Sequence, residues 1–212
     1  MFEEIIIIPS FNELYSLKKI LKKLSKKYKL IVIDDGSKDS TSKMLNAFKI
    51  ESITNKKNIG YEKSLIKAFN YTIEKYPNTK NIITFDADGE HKTSDLNKII
   101  MFSKIRKPAL LICNRQNIQR FSEKIINYFF KIKFNVEDPL SGLKVYNIKI
   151  LKKYLNKIKS DHFLVNLTKK ICAQKHKVLN FPIKCNIIGN RQPRIGNYFL
   201  SNIKILKILL II

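Results

Sequence analysis

Two aspartates stand close together at the end of an apolar run. Asp86 and Asp88 follow residues 81–85 directly, with one residue between them. In an extended chain, side chains two residues apart point to the same side, so both carboxylates could bind one hard cation such as Mg²⁺ or Mn²⁺. A cation that bridges a diphosphate neutralises the charge that develops on a leaving group. The pair therefore predicts a metal and diphosphate site, with a solvated acidic turn as the structural alternative.

A second acidic pair occupies a similar place earlier in the chain. Asp34 and Asp35 follow the apolar run 30–33. In open α/β sheets, ligands bind beyond the carboxyl ends of the strands. We therefore expect both acidic pairs at one edge of one sheet, around one binding site.

Short apolar runs alternate with helical periodicity along the first half of the chain. The predicted strands are residues 5–8, 30–33, 50–54, 81–85 and 109–113, and the predicted helices include 14–28, with Asn12 as its cap, and 61–76. The second half predicts a helix near 118–132, a turn at 138–142, a strand ending at Tyr146, two helices and a strand near 178–185. This alternation is typical of an α/β fold with a mostly parallel, Rossmann-like sheet flanked by helices. A chain of 212 residues can form one such domain.

The chain is strongly basic, with a formal net charge of +24, and lysine supplies all but five of its 41 basic residues. Such a charge fits an anionic membrane, a phosphorylated substrate or nucleic acid, and it also fits a compositional bias of the source. Residues 162–212 contain no Asp or Glu but nine Lys or Arg, which favours an anionic surface as neighbour. The sequence lacks zinc-finger spacing, an RNP-like aromatic strand and a basic heptad region, so we expect no nucleic-acid partner.

Other features disfavour two further classes of protein. No Gly-x-Gly-x-x-Gly follows the first strand, which argues against a dinucleotide-dependent oxidoreductase. Cys113, Cys172 and Cys185 are scattered and odd in number, so neither a disulfide framework nor a zinc site is predicted. Glu3 and Glu4 stand where a signal peptide would have a basic start, and we therefore expect a cytoplasmic protein.

Several motifs occur in the order found in a known enzyme family. They are Pro9-Ser10-Phe11-Asn12-Glu13, Asp34-Asp35-Gly36-Ser37 with Asp39 and Thr41, Asn58-Ile59-Gly60, and Asp86-Ala87-Asp88-Gly89-Glu90-His91. Together they resemble the inverting glycosyltransferases of family 2, which have the GT-A fold. The motif Asp138-Pro139-Leu140-Ser141-Gly142 is similar to that of the polyprenyl-phosphate branch, typified by dolichol-phosphate mannose synthases. The resemblance implies one catalytic domain, residues 1–197, that transfers a sugar from a nucleotide-diphosphate donor to a lipid-linked acceptor, with polyprenyl phosphate favoured.

The resemblance also implies roles for individual residues. It places Asp86 and Asp88 at the metal and diphosphate, with Glu90 as a further metal ligand. The donor nucleotide is expected to bind against Pro9, Phe11, Glu13, Asp35 and Ala87. A pocket for a base and a ribose needs an apolar wall together with carboxylates that accept from ring N–H groups or hydroxyls. Ordinary packing at the start of a helix is the alternative for Phe11 and Glu13.

Arginine is scarce in this chain, so its positions are informative. Arg115 lies just past a predicted strand, and Arg194 lies in a loop before Gly196. Guanidinium groups hold phosphate oxygens through two parallel hydrogen bonds, and the resemblance implies that both arginines bind phosphate. Exposed surface arginines are the alternative.

Two residues are candidates for a catalytic base. His91 adjoins the acidic pair and is of a type that exchanges protons near neutral pH, with a capping or supporting histidine as the alternative. Asp138 lies where the family's acceptor-side carboxylate often occurs, and its role as a catalytic residue stays open. A hydroxyl acceptor, on a surface polysaccharide or a lipid-linked oligosaccharide, would need a base. A lipid phosphate is already anionic and needs none.

The last fifteen residues, 198–212, are strongly apolar but are interrupted by Lys204 and Lys207. Spanning a bilayer takes about 20 apolar residues, so this tail is too short, whereas an amphipathic helix lying in the membrane plane is within reach. The predicted helix around 121–134 could lie beside it. We predict peripheral attachment to the inner face of a membrane, with packing on the core as the alternative.

Overall fold

The computed structural model describes residues 2–116, 121–158 and 162–186. One seven-stranded sheet is flanked by helices on both faces, which confirms the predicted α/β fold. The strands are β1 (Glu4–Ser10), β2 (Lys29–Asp34), β3 (Glu51–Thr54), β4 (Asn81–Thr84), β5 (Leu110–Arg115), β6 (Lys144–Asn147) and β7 (Val178–Ile183). The helices are α1 (Leu14–Leu24), α2 (Thr41–Ala47), α3 (Tyr61–Lys75), α4 (Leu96–Arg106), α5 (Phe121–Phe134), α6 (Ile148–Leu155) and α7 (Phe163–Ala173), with a 3₁₀ helix at Thr93–Asp95.

The strand order is β3-β2-β1-β4-β6-β5-β7. All neighbouring strands are parallel except β6, which runs antiparallel to both β4 and β5. In this register Lys144, the first residue of β6, pairs with Thr84, the last residue of β4. The start of β6 therefore lies at the same edge as the carboxyl ends of β4 and β5, and the segment before β6 reaches the site.

The core lies on both faces of the sheet. Ile5 and Ile7 pack in one apolar cluster with residues of α3, α5, α6 and α7. Ile6 and Ile8 pack in a second cluster with residues of α1, α2 and α4. A strand that is buried on both faces needs apolar residues at successive positions, which explains the continuous run at the start of the chain.

The start of α1 differs from the prediction. Asn12 has a φ of 55° and does not cap the helix. Its backbone N–H instead donates to Ser37 Oγ at 2.9 Å, and its side-chain oxygen accepts from the Lys38 N–H at 2.8 Å. Asn tolerates this left-handed conformation, and here it joins the loop after β1 to the loop after β2. The helix also ends at Leu24, before the predicted end at residue 28.

Some predictions fall outside the described residues. They concern Arg194, the apolar tail 198–212 and the domain boundary at residue 197. Among the helices that the structure does describe, none has the length and apolar character needed to cross a bilayer.

Candidate active site

The loop after β2 and the loop before α3 are joined by Asp35. Its Oδ1 accepts from the Asn55 side-chain amide and from the Ile59 N–H, and its Oδ2 accepts from the Gly60 N–H, each at 2.9 Å. The residue is 5% exposed. Asp35 lies at the predicted edge of the sheet, where its carboxylate fixes the backbone that leads into α3.

Gly36 allows these two loops to approach each other. Its φ is +74°, and a Cβ at this position would lie 2.7 Å from the backbone carbon of Lys57. Only glycine fits both the left-handed conformation and the close backbone contact. The glycine of the motif is therefore explained by packing of one loop on the other.

Asp86 is surrounded by residues from three other parts of the chain. Its Oδ1 accepts from the Tyr61 hydroxyl at 2.9 Å. Its Oδ2 lies 3.6 Å from His91 Nε2, an ion-pair distance that is longer than a hydrogen bond. Gly142 lies so close that a Cβ there would stand 1.8 Å from the same Oδ2. The carboxylate of Asp86 is thus fixed in one position.

His91 supports Asp86 from within the protein. The residue is 2% exposed, its Nδ1 lies 3.7 Å from Cys185 Sγ, and its ring packs against Phe85 at 5.9 Å between centroids. Burial by itself lowers the His91 pKa, but the Asp86 carboxylate outweighs burial, and the pKa is raised to about 10. A cationic imidazole next to a carboxylate favours the supporting role for His91 over that of a base.

Asp88 lies in a turn and borders an open groove. Its Oδ1 accepts from the Glu90 N–H at 2.9 Å, and Ala87 and Asp88 lie in a turn rather than in the extended chain that was expected. A groove of about 1140 Å³ runs from the start of α1 to the loop after β4, and Glu13 and Asp88 both line it, together with Lys19, Lys23 and Lys92. Its volume is sufficient for a nucleotide sugar.

Arg115 is held by three carboxylates. Its Nε and Nη2 donate to the two oxygens of Asp138 at 2.7 and 2.9 Å, and Nη2 also donates to Glu123 at 2.9 Å. Nη1 contacts Glu90 at a longer 3.4 Å. Burial alone would lower the Arg115 pKa, but the carboxylates, Asp138 above all, raise it. The predicted phosphate ligand is thus paired within the chain, mainly with the predicted catalytic residue Asp138.

The segment 138–142 is fixed by contacts on every side. Asp138 is 2% exposed and has a φ of 49°. Ser141 Oγ donates to the carbonyl of Cys113 at 2.7 Å, and Thr84 Oγ1 donates to the carbonyl of Gly142 at 2.7 Å. The Lys144 ammonium donates to the carbonyl of Pro139 at 2.8 Å. These bonds hold Asp138 beside Arg115 and place Gly142 against Asp86.

Lys144 is a buried cation at the base of the site. It is 1% exposed, and no other Lys or Arg is buried among the residues that the structure describes. Burial lowers its pKa to about 8, against the opposing effect of Asp138 and Asp86. Its charge therefore lies between the acidic residues after β4 and those before β6.

The remaining predicted donor residues lie along the same edge. Phe11 is 37% exposed, whereas Pro9 and Ala87 are buried. The Glu13 carboxylate accepts from the Ser16 hydroxyl at 2.8 Å. Phe11 thus presents part of an aromatic ring to solvent at the end of β1, close in sequence to the groove-lining Glu13.

The residues after β4 fit a cation that takes most of its ligands from a substrate. Across the described ranges, no three His, Cys, Asp or Glu side chains are grouped as metal ligands, so Asp86, Asp88 and Glu90 do not form a ready-made cage. Mg²⁺ is commonly bound through one or two carboxylates, with phosphate oxygens and water completing the shell. Asp88 lines the groove, where its carboxylate could bind such a cation together with a phosphate.

Three residues of the site were not predicted from the sequence. Tyr61 donates to Asp86, Glu123 contacts Arg115, and Lys144 holds Pro139. Of these three, only Lys144 could have been identified from the sequence, because a charged residue at the start of an apolar strand is unusual. Tyr61 and Glu123 look like ordinary residues in the first turns of helices.

The sheet and its flanking helices form the GT-A fold, which this chain shares with solved glycosyltransferase structures. The family model described as glycosyl transferase family 2 matches residues 5–157, and the chain belongs to this family. It is therefore an enzyme of the hexosyltransferase class.

Three relatives cover most of the chain. An uncharacterized protein of Methanocaldococcus jannaschii is 31% identical over 86% of this chain and 81% of its own length. The UDP-N-acetylglucosamine–dolichyl-phosphate N-acetylglucosaminyltransferase of Methanococcus voltae is 25% identical over 82% of this chain and 80% of its own. The Dictyostelium discoideum dolichyl-phosphate β-glucosyltransferase is 26% identical over 84% of this chain and 63% of its own length. This agrees with the predicted polyprenyl-phosphate branch.

Solved structures share the fold at low sequence identity. Glucosyl-3-phosphoglycerate synthase of Mycobacterium tuberculosis, in complex with Mn²⁺, UDP-glucose and phosphoglyceric acid, has a TM-score of 0.73 at 14% identity, covering 97% of this chain and 78% of that one. A mannosyltransferase of Pyrobaculum calidifontis, in complex with GDP-mannose and Mn²⁺, has a TM-score of 0.66 at 14% identity. The match covers 93% of this chain and 59% of the mannosyltransferase chain.

Proposed function

We propose that this enzyme transfers a sugar from a nucleoside diphosphate sugar to the phosphate of a polyprenyl lipid, with inversion at the sugar C1. The observation that carries the proposal is the fixed acidic edge, in which Asp88 borders the groove and Asp86 is held by Tyr61, beside a paired Arg115 and Asp138. The relatives named for dolichyl-phosphate acceptors support this choice of acceptor.

The donor would bind along the carboxyl edge. Phe11 offers an aromatic surface for a base, and Glu13 and Asp88 border the groove that can take the ribose and diphosphate. The backbone fixed by Asp35 would form the other wall of the nucleoside pocket, with Pro9 and Ala87 packed beneath it. Preformed loops reduce the ordering cost of binding.

The carboxylate of Asp88, supported by Asp86, would hold Mg²⁺ or Mn²⁺ at the diphosphate. When bound, such an ion supplies positive charge where negative charge develops on the leaving nucleoside diphosphate. The Mn²⁺ complexes of structural neighbours support a divalent ion here. Glu90 would join the ligands only by leaving Arg115, its 3.4 Å contact being the longest that this guanidinium makes.

The acceptor side supports a phosphate nucleophile. Both oxygens of Asp138 accept hydrogen bonds from Arg115, so both are already occupied where a base would have to receive a proton from a hydroxyl acceptor. A phosphate oxygen needs no base: it attacks C1, the C1–O bond to the diphosphate breaks, and the electron pair leaves with the nucleoside diphosphate. We assign Asp138 the role of orienting Arg115, whose Nη1 edge would turn toward phosphate.

The chemistry of the product tests this acceptor. Purified enzyme is incubated with Mn²⁺, labelled UDP- and GDP-sugars, and a polyprenyl phosphate, and the lipid product is treated with mild acid. We expect a labelled lipid whose sugar is released, since a glycosyl phosphate is acid-labile. A labelled product that survives the acid would identify a glycoside and hence a hydroxyl acceptor, and turnover only with a polyprenol or glycan would contradict the proposal.

A further inference from the structure

Helix α5 presents an apolar stripe to solvent. Four of its large side chains are exposed: Phe121 (69%), Tyr128 (64%), Phe129 (47%) and Ile132 (69%). At about 100° per residue these positions, with Ile125 between them, fall within an arc of about 100° on the helix. The stripe is continuous for most of the length of α5, and we refer to Phe121, Ile125, Tyr128, Phe129 and Ile132 as the α5 stripe.

The opposite side of the same helix is packed in the protein. Ser122, Ile126 and Phe130 are fully buried, and the Asn127 side chain accepts from the backbone N–H of Asp138 at 2.7 Å. A helix whose inner side already fills the core does not need a second apolar side for folding. Within the described ranges, the core therefore does not require the α5 stripe.

Lysines border the α5 stripe on both sides. By helical position Lys124 and Lys131 lie along one side of it and Lys133 along the other; all three are exposed, and Lys131 also contacts the Glu137 carboxylate at 2.8 Å. The one acidic residue of the helix, Glu123, contacts Arg115 at 2.9 Å with a side chain only 12% exposed. An apolar stripe between cations fits a bilayer surface with anionic headgroups. Two copies of this stripe would bring like charges together.

The helix is also connected directly to the site. The contact between Glu123 and Arg115 joins the first turn of α5 to the pair that Arg115 forms with Asp138. We propose that the α5 stripe docks on an anionic lipid bilayer and so places the acceptor side of the site at the membrane surface. This proposal rests on the proposed lipid-phosphate acceptor and identifies the surface through which the enzyme reaches it.

Vesicle binding of the full-length protein tests the assignment. The parent, Tyr128→Ser/Ile132→Ser and the control Tyr15→Ser/Ile105→Ser are sedimented with vesicles of phosphatidylcholine containing phosphatidylglycerol. Tyr15 and Ile105 are 83% and 74% exposed and lie on α1 and α4. We expect binding of the stripe variant to fall about tenfold or more, while the control binds like the parent.

A second set of variants tests the charge. The triple variant Lys124→Gln/Lys131→Gln/Lys133→Gln should lose binding to anionic vesicles about tenfold or more, since each lysine near such a surface adds to the attraction. Its matched control replaces the exposed lysines Lys22, Lys26 and Lys152 with Gln. These lysine variants test the same surface of α5 without changing an apolar residue.

The outcomes separate this proposal from the proposed function. Turnover of a short-chain, water-soluble polyprenyl phosphate should be equal in the parent and the stripe variant, which shows that the variant is folded. Loss of vesicle binding with retained turnover supports docking through α5. Unchanged vesicle binding, or a change from dimer to monomer in sedimentation of the stripe variant, overturns it. If the parent binds vesicles through α5 but has no turnover, the acceptor assignment fails while the docking surface stands.

Discussion

Asp86 is positioned by contacts that bring distant parts of the chain together. Asp86 belongs to the motif 86–91 and Gly142 to the motif 138–142. The contact between the two residues depends on β6 lying next to β4. Sequence patterns give the residue types at the site, whereas the partners of each side chain depend on the packing of helices and loops. Tyr61 could not be predicted for this reason, because it belongs to a helix start some distance along the chain from Asp86.

Replacement of Tyr61 by Phe tests how far activity depends on this positioning. The change removes one hydrogen bond to a carboxylate without adding bulk, and we expect kcat/KM for sugar transfer to fall by about ten- to a hundredfold. Tyr71→Phe is the matched control, since the Tyr71 hydroxyl donates to Glu51, away from the site. Equal kinetics for Tyr61→Phe and the parent would show that Asp86 does not depend on Tyr61.

The roles of Arg115 and Asp138 illustrate what residue types alone leave open. Both were predicted as site residues, one as a phosphate ligand and one as a catalytic residue. The structure brings them together in a two-pronged ion pair. Their pairing could not be predicted because the left-handed conformation of Asp138, which turns its side chain, leaves no periodic signal in the sequence.

At the level of the helices and strands, most of the first half of the fold was predictable. Buried strands and amphipathic helices differ in the spacing of apolar residues, and the strands β1, β2 and β4 follow that spacing closely. The direction of a strand is not encoded in this spacing. The antiparallel course of β6, which brings Lys144 and the preceding loop to the site, therefore became clear only from the register with β4 and β5.

The edge strand β3 is fixed by a polar cluster around Glu51. Its carboxylate contacts Lys29 at 2.6 Å, Lys75 at 3.1 Å, and the hydroxyls of Tyr71 and Tyr76 at 2.8 and 2.5 Å. Burial alone would raise the Glu51 pKa, but Lys29 and its other partners lower it to about 2. The charged form of Glu51 is therefore the one that joins β3 to β2 and α3.

This cluster predicts a pH-dependent contribution to stability. The folded pKa is below the ordinary value of 4.5, so the contribution is present above that value and is lost as pH falls toward about 2. We expect Glu51→Gln to lower the melting temperature by about 2–8 °C at neutral pH, and the difference from the parent to shrink as the solution is acidified. Thermal unfolding followed by circular dichroism measures it, and a difference that stays constant down to about pH 2 would contradict it.

Across the whole molecule, the charges are distributed unevenly. The net charge of +24 comes mainly from lysines, and among the residues that the structure describes every lysine except Lys144 is at least partly exposed. Several of the few carboxylates gather at the edge of the sheet, at Asp86, Asp88, Glu90, Glu123 and Asp138. Composition alone could not separate a membrane surface from other anionic partners, because that choice depends on which lysines border an apolar surface such as the α5 stripe.

Catalysis in the proposed function depends on Asp88, which we propose holds a divalent ion at the diphosphate of a nucleotide sugar. The most direct test of this claim is transfer from labelled nucleotide sugars to polyprenyl phosphate, with Mn²⁺ or with EDTA, by the parent, Asp88→Asn and the control Glu74→Gln. Glu74 is an exposed carboxylate on α3. We predict that EDTA abolishes transfer, that Asp88→Asn retains its fold but loses at least about a hundredfold in kcat/KM, and that the control matches the parent. Full transfer in EDTA, or by Asp88→Asn, would contradict the claim.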